Sequence, residues 1–316
     1  MLIATSGRSI AHLESALRAV VRNTGEAVRM ALIAVLANGH LLIEDVPGVG
    51  KTTLAQAMAR SMDCSLQRVQ FTSDLLPSDV VGISIYDQAN ERFEFKRGPI
   101  FAHVVLADEI NRTTPKTQSA LLEAMNERQV TIDGKTYPLP SPFLVIATQN
   151  PTEHQGTYPL PESQLDRFLL RIRMGYPNPA DEKAILQGEA GAELLGTLRP
   201  VLTIDEVLQL QQQARTITVE DSLLEYELAL VRATRQHPML ALGVSPRGSM
   251  MLHRAAQARA LIEGRSYCTP EDFKRLFVPV CSHRVLLRPA LAHLERSVEQ
   301  AESVLEEIAR RVPVPA

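Results

Sequence analysis

A turn rich in glycine, between an apolar run and a helix pattern, is the feature that most constrains how this chain folds. The residues from His40 to Glu44 are mostly apolar and predict a buried strand, while Thr52 to Met62 has the apolar spacing of a helix. The turn between them has the sequence Asp45-Val46-Pro47-Gly48-Val49-Gly50-Lys51. This order predicts a phosphate-binding loop, because small residues let backbone N–H groups close around phosphate oxygens.

The side chains of this loop indicate what it binds. Lys51 is placed to reach the β- and γ-phosphates of ATP, and the Thr52 hydroxyl is placed to ligate Mg²⁺. Asp45 stands where the usual pattern, GxxxxGK[ST], has glycine, so the segment taken alone could also be an ordinary turn before a helix. The predicted nucleotide-binding residues are Pro47, Gly48, Val49, Gly50, Lys51, Thr52 and Thr53.

Two carboxylates follow a second apolar run. Residues Ile100 to Leu106 are almost continuously apolar and predict a buried strand, which ends at Asp108 and Glu109. Beside a phosphate-binding loop, Asp108 would hold the Mg²⁺ shell and Glu109 would orient or deprotonate the attacking water. The alternative is that the pair merely caps a strand where it meets solvent.

A third apolar run also ends in a polar side chain. Residues Phe143 to Thr148 predict another buried strand, and Asn150 follows it. Ligands of open α/β sheets bind at the carboxyl ends of the strands, so Asn150 is expected to reach the γ-phosphate or the attacking water. The alternative is a turn residue that precedes Pro151.

Two hairpins and a helical second half complete the predicted elements. One hairpin has arms at 83–86 and 92–95, and the other has Asp133-Gly134 at its turn, which suits a type I′ geometry. Strand patterns fade after the linker at 176–180. Helices are then predicted at about 181–190, 205–215, 220–236, 247–263, 270–280 and 290–310. The chain is therefore expected to divide near 190–200 into an α/β half and an all-helical half.

Arg247 lies in the first turn of one of these helices, after Gly243-Val244-Ser245-Pro246. A cation there opposes the helix dipole by about a few tenths of a kcal/mol. This unfavourable choice suggests that Arg247 contacts a bound anion, although a solvated arginine is the alternative.

Composition argues against several classes of protein. The net charge of −3 gives no overall attraction to nucleic acid or anionic membrane, and the low aromatic content of 4% argues against stacking on single strands. No apolar run reaches the length of about 18 residues that a spanning helix needs, and no secretion signal is recognised, so a cytoplasmic location is expected. Six further side chains are expected to be idle thiols or packed or solvated imidazoles: Cys64, Cys268, Cys281, His40, His103 and His154.

Taken together, these motifs resemble the AAA+ ATPases, and more closely their MoxR branch, over about residues 25–285. The stretches that carry the resemblance are GHLLIEDVPGVGKTTLA, GPIFAHVVLADEINRTTPKTQSALLEAMNERQVTIDG, FLVIATQNPTEHQGTYPLPESQLDRF and SPRG. The resemblance implies a P-loop αβα core with a parallel sheet (1–195), an all-helical lid (196–316), and ATP between them. It also implies a helix-2 insert at about 71–99 and a pre-sensor-1 hairpin at about 129–137.

The resemblance also implies a role for each matching residue. Gly48, Gly50, Lys51 and Thr52 match the Walker A loop, Asp108 and Glu109 match Walker B, Asn150 matches sensor 1, Arg167 matches the arginine finger that acts on a neighbour's ATP, and Arg247 matches sensor 2. Arg112 and Arg171 are further possible ligands across a subunit boundary, with surface salt bridges as the favoured alternative.

The function that the resemblance implies is that of a ring ATPase, with six subunits as the family expectation. It would remodel or mature client proteins, often with a partner that contains a von Willebrand factor A domain. Two alternatives stay open: a nucleotide-gated binding scaffold with little catalysis, and a DNA-acting motor. The intact Asp108-Glu109 pair argues against the first, and the net charge argues against the second.

Overall fold

The structure is a computed structural model, and it describes residues 2–21, 25–150, 157–187, 192–288 and 297–315. His154 lies outside these residues, as does the start of the helix predicted at 290–310.

The strands of the described residues form one main sheet and three two-stranded ribbons. They are β1 (Leu41–Glu44), β2 (Leu66–Gln70), β3 (Gly82–Asp87), β4 (Arg92–Arg97), β5 (Val104–Asp108), β6 (Gln129–Ile132), β7 (Lys135–Pro138), β8 (Leu144–Gln149), β9 (Leu170–Ile172), β10 (Leu240–Leu242) and β11 (Leu286–Leu287). The main sheet has the order β2-β5-β8-β1-β9, and all its pairs are parallel. Strand β1, which leads into the phosphate-binding loop, is therefore internal, and its end lies at the same edge as the ends of β5 and β8.

Helices surround this sheet and make up most of the C-terminal half. They are α1 (Leu2–Val20), α2 (Gly25–Leu36), α3 (Lys51–Ser61), α4 (Pro77–Val81), α5 (Pro115–Glu127), α6 (Glu162–Leu165), α7 (Pro179–Leu186), α8 (Ala192–Thr197), α9 (Ile204–Arg215), α10 (Asp221–Gln236), α11 (Pro246–Ile262), α12 (Pro270–Cys281) and α13 (Ser297–Arg311), with a short 3₁₀ helix at Ile110–Arg112.

The two faces of the sheet belong to different hydrophobic clusters, as an αβα sandwich requires. On β1, Leu41 and Ile43 pack into the cluster that contains α1, α2 and α3, while Leu42 packs into the cluster that contains α4 and α5. Strands buried on both faces carry nearly continuous apolar runs, which explains why the sequence predicts them well. The predicted αβα core with a parallel sheet is confirmed.

Both predicted hairpins are present. Asp133 and Gly134 have φ of 49° and 74°, and positive φ at both central residues is the mark of a type I′ turn. The segment expected as an insert forms α4 and the β3-β4 hairpin, which leaves Ile83, Tyr86 and Phe93 exposed.

Two predictions about elements are wrong in detail. Strand β5 begins at Val104 rather than Ile100, because Ile100 is buried against the insert, where its N–H donates to the carbonyl of Val80. Among the described residues of the C-terminal half, the antiparallel pair β10-β11 interrupts the helices. These strands have three and two residues, too few to show an alternating pattern.

The N-terminal helices connect the sheet to the C-terminal helices. Gln211 of α9 donates to the carbonyl of Val35 in α2 at 2.8 Å, and Arg29 pairs with Glu263 at 2.8 Å. The proposed boundary between residues 195 and 196 falls inside α8. The phosphate-binding half and the helical half therefore share one hydrophobic cluster.

The structure accounts for the cysteines and for His40. Burial raises the pKa of Cys64 to about 11 and those of Cys268 and Cys281 to about 12, so these free thiols stay protonated at neutral pH. His40 is buried, accepts from the Val145 N–H at 3.0 Å and lies 3.2 Å from the Met125 carbonyl. Its predicted packing role is confirmed.

Among the residues described, no helix is long and apolar enough to cross a membrane.

Candidate nucleotide site

The phosphate-binding loop has the backbone that its glycines predict. Gly48 and Gly50 have φ of 87° and 93°, a left-handed conformation that other residues adopt only with strain. A Cβ added at Gly48 would meet no atom within 4 Å, so this side of the loop is open to a ligand. Helix α3 begins at Lys51 without a side-chain cap from Gly50, which leaves its first turn suited to a phosphate.

The loop forms one wall of a cleft of about 380 Å³ at the carboxyl edge of the sheet. The residues that line it are Pro47, Gly48, Gly50, Lys51, Thr52, Arg68, Gln70, Asp108, Glu109 and Asn150. The structure thus brings together most of the predicted site residues. Val49 is instead buried in the core, and Thr53 does not line the cleft.

Asp108 is held by a neighbouring strand. Thr148 at the end of β8 donates its hydroxyl to Asp108 Oδ1 at 2.6 Å and accepts the Glu109 N–H at 2.9 Å. Arg68 Nη2 donates to Asp108 Oδ2 at 2.7 Å. One carboxylate oxygen of Asp108 is therefore oriented by the protein interior, and the other meets an exposed cation in the cleft.

Glu109 follows the strand with a left-handed backbone, at φ of 57°. Its Oε2 accepts from Gln70 Nε2 at 2.9 Å and lies 3.0 Å from Arg112 Nε. Arg112, which is 42% exposed, thus forms the surface salt bridge that is favoured for it, and its partner is a cleft residue. Strand β2 runs beside β5 with Gln70 opposite Asp108, which is why Gln70 reaches this carboxylate.

Arg68 and Gln70 were not identified from the sequence. Both lie on β2, two residues apart, so they share one face of the strand. That spacing was the only available signal. It could not show that β2 lies next to β5, because strand order is not readable from an apolar pattern.

Lys51 is oriented by the loop that it follows. Its Nζ donates to the Asp45 carbonyl at 2.6 Å. Burial lowers the pKa of Lys51, and the negative charges of Asp45, Asp108 and Glu109 oppose that shift. The Lys51 side chain thus lies in the cleft where phosphate would be bound.

Asp45 has a structural role that its departure from the usual loop pattern did not suggest. It is 9% exposed, and its carboxylate accepts three backbone N–H groups, from Val46, Met174 and Gly175. Met174 and Gly175 follow β9, where the chain leaves the sheet for the C-terminal helices.

Arg167 and Arg247 lie outside the cleft. Arg167 is half-buried just beyond α6, and Arg247 in the first turn of α11 donates to Asn126 Oδ1 at 2.5 Å. The cleft-lining residues all come from the sheet half of the chain. The start of α11 lies beside α5 and α6, so Arg247 does not line the cleft of its own chain.

Arg284 was missed by the sequence analysis, although it is buried beside the predicted finger. Its Nε donates to Asp166 Oδ1 at 2.9 Å, and its Nη2 also donates to the carbonyls of Asp166 and Phe168. The Ser245 hydroxyl donates to Asp166 Oδ2 at 3.2 Å. These contacts fix the backbone on both sides of Arg167, and nothing in the pattern around Arg284 predicts them.

Arg171 does not form the surface salt bridge that was favoured for it. It is buried on β9, where it lies 3.4 Å from Glu44 and 3.3 Å from Glu302. Arg171 does form ion pairs, but they lie inside the protein because helices cover β9. They link the strand before the phosphate-binding loop to α13.

The main sheet is parallel, and its strand β1 leads into the phosphate-binding loop. Strand β5, which is separated from β1 by β8, ends at the two carboxylates, and the C-terminal region is mostly helical. This combination defines an ATPase of the AAA class. The family described as "ATPase family associated with various cellular activities (AAA)" matches residues 40–170, and the family described as "AAA lid domain" matches residues 232–308.

Known relatives extend over almost the whole chain. Uncharacterized protein YeaC of Bacillus subtilis (strain 168) is 48% identical over 98% of this chain and 94% of its own length. Chaperone MoxR1 of Mycobacterium tuberculosis is 42% identical over 85% of this chain and 73% of its own length. The crystal structure of a candidate ATPase from Cytophaga hutchinsonii has a TM-score of 0.90 at 37% identity and covers 99% of this chain and 97% of its own. The chain belongs to the MoxR family of AAA+ ATPases.

Proposed function

We propose that the protein hydrolyses ATP with Mg²⁺ and works as a ring that remodels client proteins. The observation that carries the proposal is the cleft itself, where Lys51, Thr52, Asp108, Glu109 and Asn150 meet at one edge of the sheet. The combination of cation, hydroxyl, paired carboxylates and amide is the set that phosphoryl transfer requires.

The phosphates would be held by the loop. Its open side at Gly48, the first turn of α3 and the Lys51 ammonium provide N–H donors and positive charge for an anion. Thr52 and Asp108 both line the cleft and offer hard oxygen ligands, which fit Mg²⁺. When bound, Mg²⁺ neutralises charge that develops on the phosphate oxygens.

Glu109 is the proposed base, and Asn150 the residue that orients the attacked phosphate or the water. The Glu109 carboxylate projects into the cleft, and its partners Gln70 and Arg112 fix its direction. A carboxylate that is positioned without being fully buried remains an acceptor for a proton of water.

Arg167 and Arg247 are proposed to act on the ATP of a neighbouring subunit. Neither lines the cleft of its own chain, whereas both lie near the start of α11, where Ser245 contacts Asp166. An arginine supplied across a subunit boundary contributes roughly 10³–10⁵ in rate. This arrangement requires contact between subunits, for which we propose a closed ring of six.

The β3-β4 hairpin is the proposed contact with clients. It exposes Ile83, Ile85, Tyr86 and Phe93, the last of them 70% exposed, on a ribbon that is separate from the main sheet. Supporting this role, the relative MoxR1 is named a chaperone. A partner with a von Willebrand factor A domain and a cytoplasmic location complete the proposal.

The proposal is tested by replacing Glu109 with glutamine. Glu109→Gln keeps the shape of the side chain and removes the base, so we expect phosphate release to fall by about 100-fold or more while ATP binding persists. Phosphate release and nucleotide affinity are measured on the same preparation. Glu225→Gln, an exposed substitution on α10, is the matched control. Unchanged turnover in Glu109→Gln would overturn the assignment.

A further inference from the structure

We propose that Asp45 is a positioning residue that couples the phosphate-binding loop to the connecting segment, residues 173–178, through which the chain leaves the sheet for the C-terminal helices. The inference rests on the proposed function in one respect only, that the loop binds ATP. It concerns the one residue of the loop that departs from the usual pattern.

The contact is direct and uses both oxygens of the carboxylate. Asp45 Oδ2 accepts the Met174 N–H at 2.7 Å and the Gly175 N–H at 2.6 Å, while Oδ1 accepts the Val46 N–H at 2.8 Å. Three N–H groups on a buried carboxylate make charge-assisted hydrogen bonds, which are stronger than bonds between neutral groups. Glycine at this position would remove the acceptor from both Met174 and Gly175.

The same residue also contacts the two other parts of the site. Its carbonyl accepts from Lys51 Nζ at 2.6 Å, and its N–H donates to the Gln149 carbonyl at 3.2 Å. Gln149 immediately precedes Asn150 in the cleft. One residue therefore joins the phosphate-binding lysine, the end of β8 and the connecting segment.

The connecting segment packs on the loop through side chains as well. Met174 is buried, and a Cβ added at Gly50 would lie 3.8 Å from its Cε. Gly175, with φ of 71°, turns the chain immediately afterwards, and α7 begins at Pro179. A shift of the loop backbone is thus transmitted to the point where the chain changes direction.

These contacts predict that different residues of the loop bind the nucleotide and couple the loop to the connecting segment. Lys51, Thr52 and the backbone N–H groups bind the nucleotide, and Asp45 conveys the position of the loop to the connecting segment and on toward the C-terminal helices. Removing the carboxylate should therefore leave most of the affinity for ATP and impair the response to it.

The test is hydrogen exchange of the amides at 173–176, with and without ATP, in the full-length chain carrying Glu109→Gln so that ATP persists. Asp45→Gly restores the usual loop residue, and Asp45→Asn keeps the shape with a single acceptor oxygen in case the first variant does not fold. Glu206→Gln is the matched control, since Glu206 also accepts a backbone N–H, from Thr203 at 2.8 Å, but lies in α9.

Without nucleotide, we expect exchange at 173–176 to be about tenfold faster in Asp45→Gly, intermediate in Asp45→Asn and unchanged in Glu206→Gln. With ATP, the unsubstituted loop should show a change at 173–176 that both Asp45 variants lack. In the presence of Glu109, Asp45→Gly should lower kcat by about tenfold with KM changed by less than about threefold.

Two results would overturn the inference. One is equal exchange at 173–176 in all variants without nucleotide, which denies the contact. The other is an ATP-induced change at 173–176 that survives in Asp45→Gly, which denies the coupling. Failure of the proposed function is a separate result, in which ATP does not bind to the chain that retains Asp45.

Discussion

Glu109, the proposed base, is held in place by its immediate neighbours. Its Oε2 accepts from a neutral amide, Gln70, and pairs with a cation, Arg112. Both donors engage Oε2, so they hold the carboxylate in one orientation. In the proposed mechanism, the rate at which Glu109 works as a base depends on how readily the carboxylate leaves that orientation.

We predict that Gln70→Ala raises basal phosphate release. Loss of a hydrogen bond worth about 1 kcal/mol corresponds to about a fivefold change in rate. The measurement is steady-state phosphate release without a client, and Gln67→Ala, an exposed glutamine on the same strand, serves as the control. A rate equal to or below that of the unsubstituted protein would show that Gln70 does not restrain Glu109.

The helices, strands and turns that could be predicted are those determined by residues within their own stretch of sequence. Strands β1 and β8 carry apolar runs buried on both faces, and the β6-β7 turn carries Asp133-Gly134, whose backbone needs only the two residues themselves. The loop glycines and the carboxylates after β5 were found for the same reason, because each motif is contiguous in sequence.

What escaped prediction depends on contacts between distant elements. Ile100 is apolar because it packs on the insert rather than in the sheet, and β10 pairs with β11 across more than one helix. Gln70 reaches Glu109 only because β2 lies beside β5, and Arg284 meets Asp166 only after the chain has folded back. No sequence periodicity carries information of that kind.

His40, which lies between α2 and β1, is expected to make the stability of the protein depend on pH. Burial lowers the pKa of His40 to about 4, with the charges of Arg128 and Arg247 acting in the same direction. Between its ordinary value of 6.5 and about 4, the unfolded chain binds a proton that the folded chain does not, so this contribution to stability is lost as the pH falls.

We expect this histidine to remove about 2 kcal/mol from the free energy of unfolding between pH 7 and pH 5. His40→Asn retains a side chain that can accept from Val145 and abolishes the titration, so its pH dependence should be shallower by that amount. Chemical denaturation at the two pH values measures the difference, with the exposed His12→Asn as control. The assignment is wrong if His40→Asn and the unsubstituted protein lose stability equally.

In the whole molecule, the cleft is separate from Arg167 and Arg247, the two arginines that the family resemblance assigns to ATP hydrolysis. The cleft lies at the carboxyl edge of the sheet, whereas Arg167 and Arg247 lie where α6 meets the start of α11. Arg284 and Asp166 fix that second region across the junction of the two halves. In the proposed function, one chain therefore presents two incomplete and complementary parts of a catalytic site.

The most direct measurement of this central claim is phosphate release from mixed subunits. Arg167→Ala retains an intact cleft and lacks the finger, while Glu109→Gln retains the finger and lacks the base. We expect each variant alone to be slower by about 100-fold or more, and an equimolar mixture to recover a substantial fraction of activity, because some cleft and finger pairs are intact. A mixture no more active than its separate components, at concentrations where both assemble, would contradict the account.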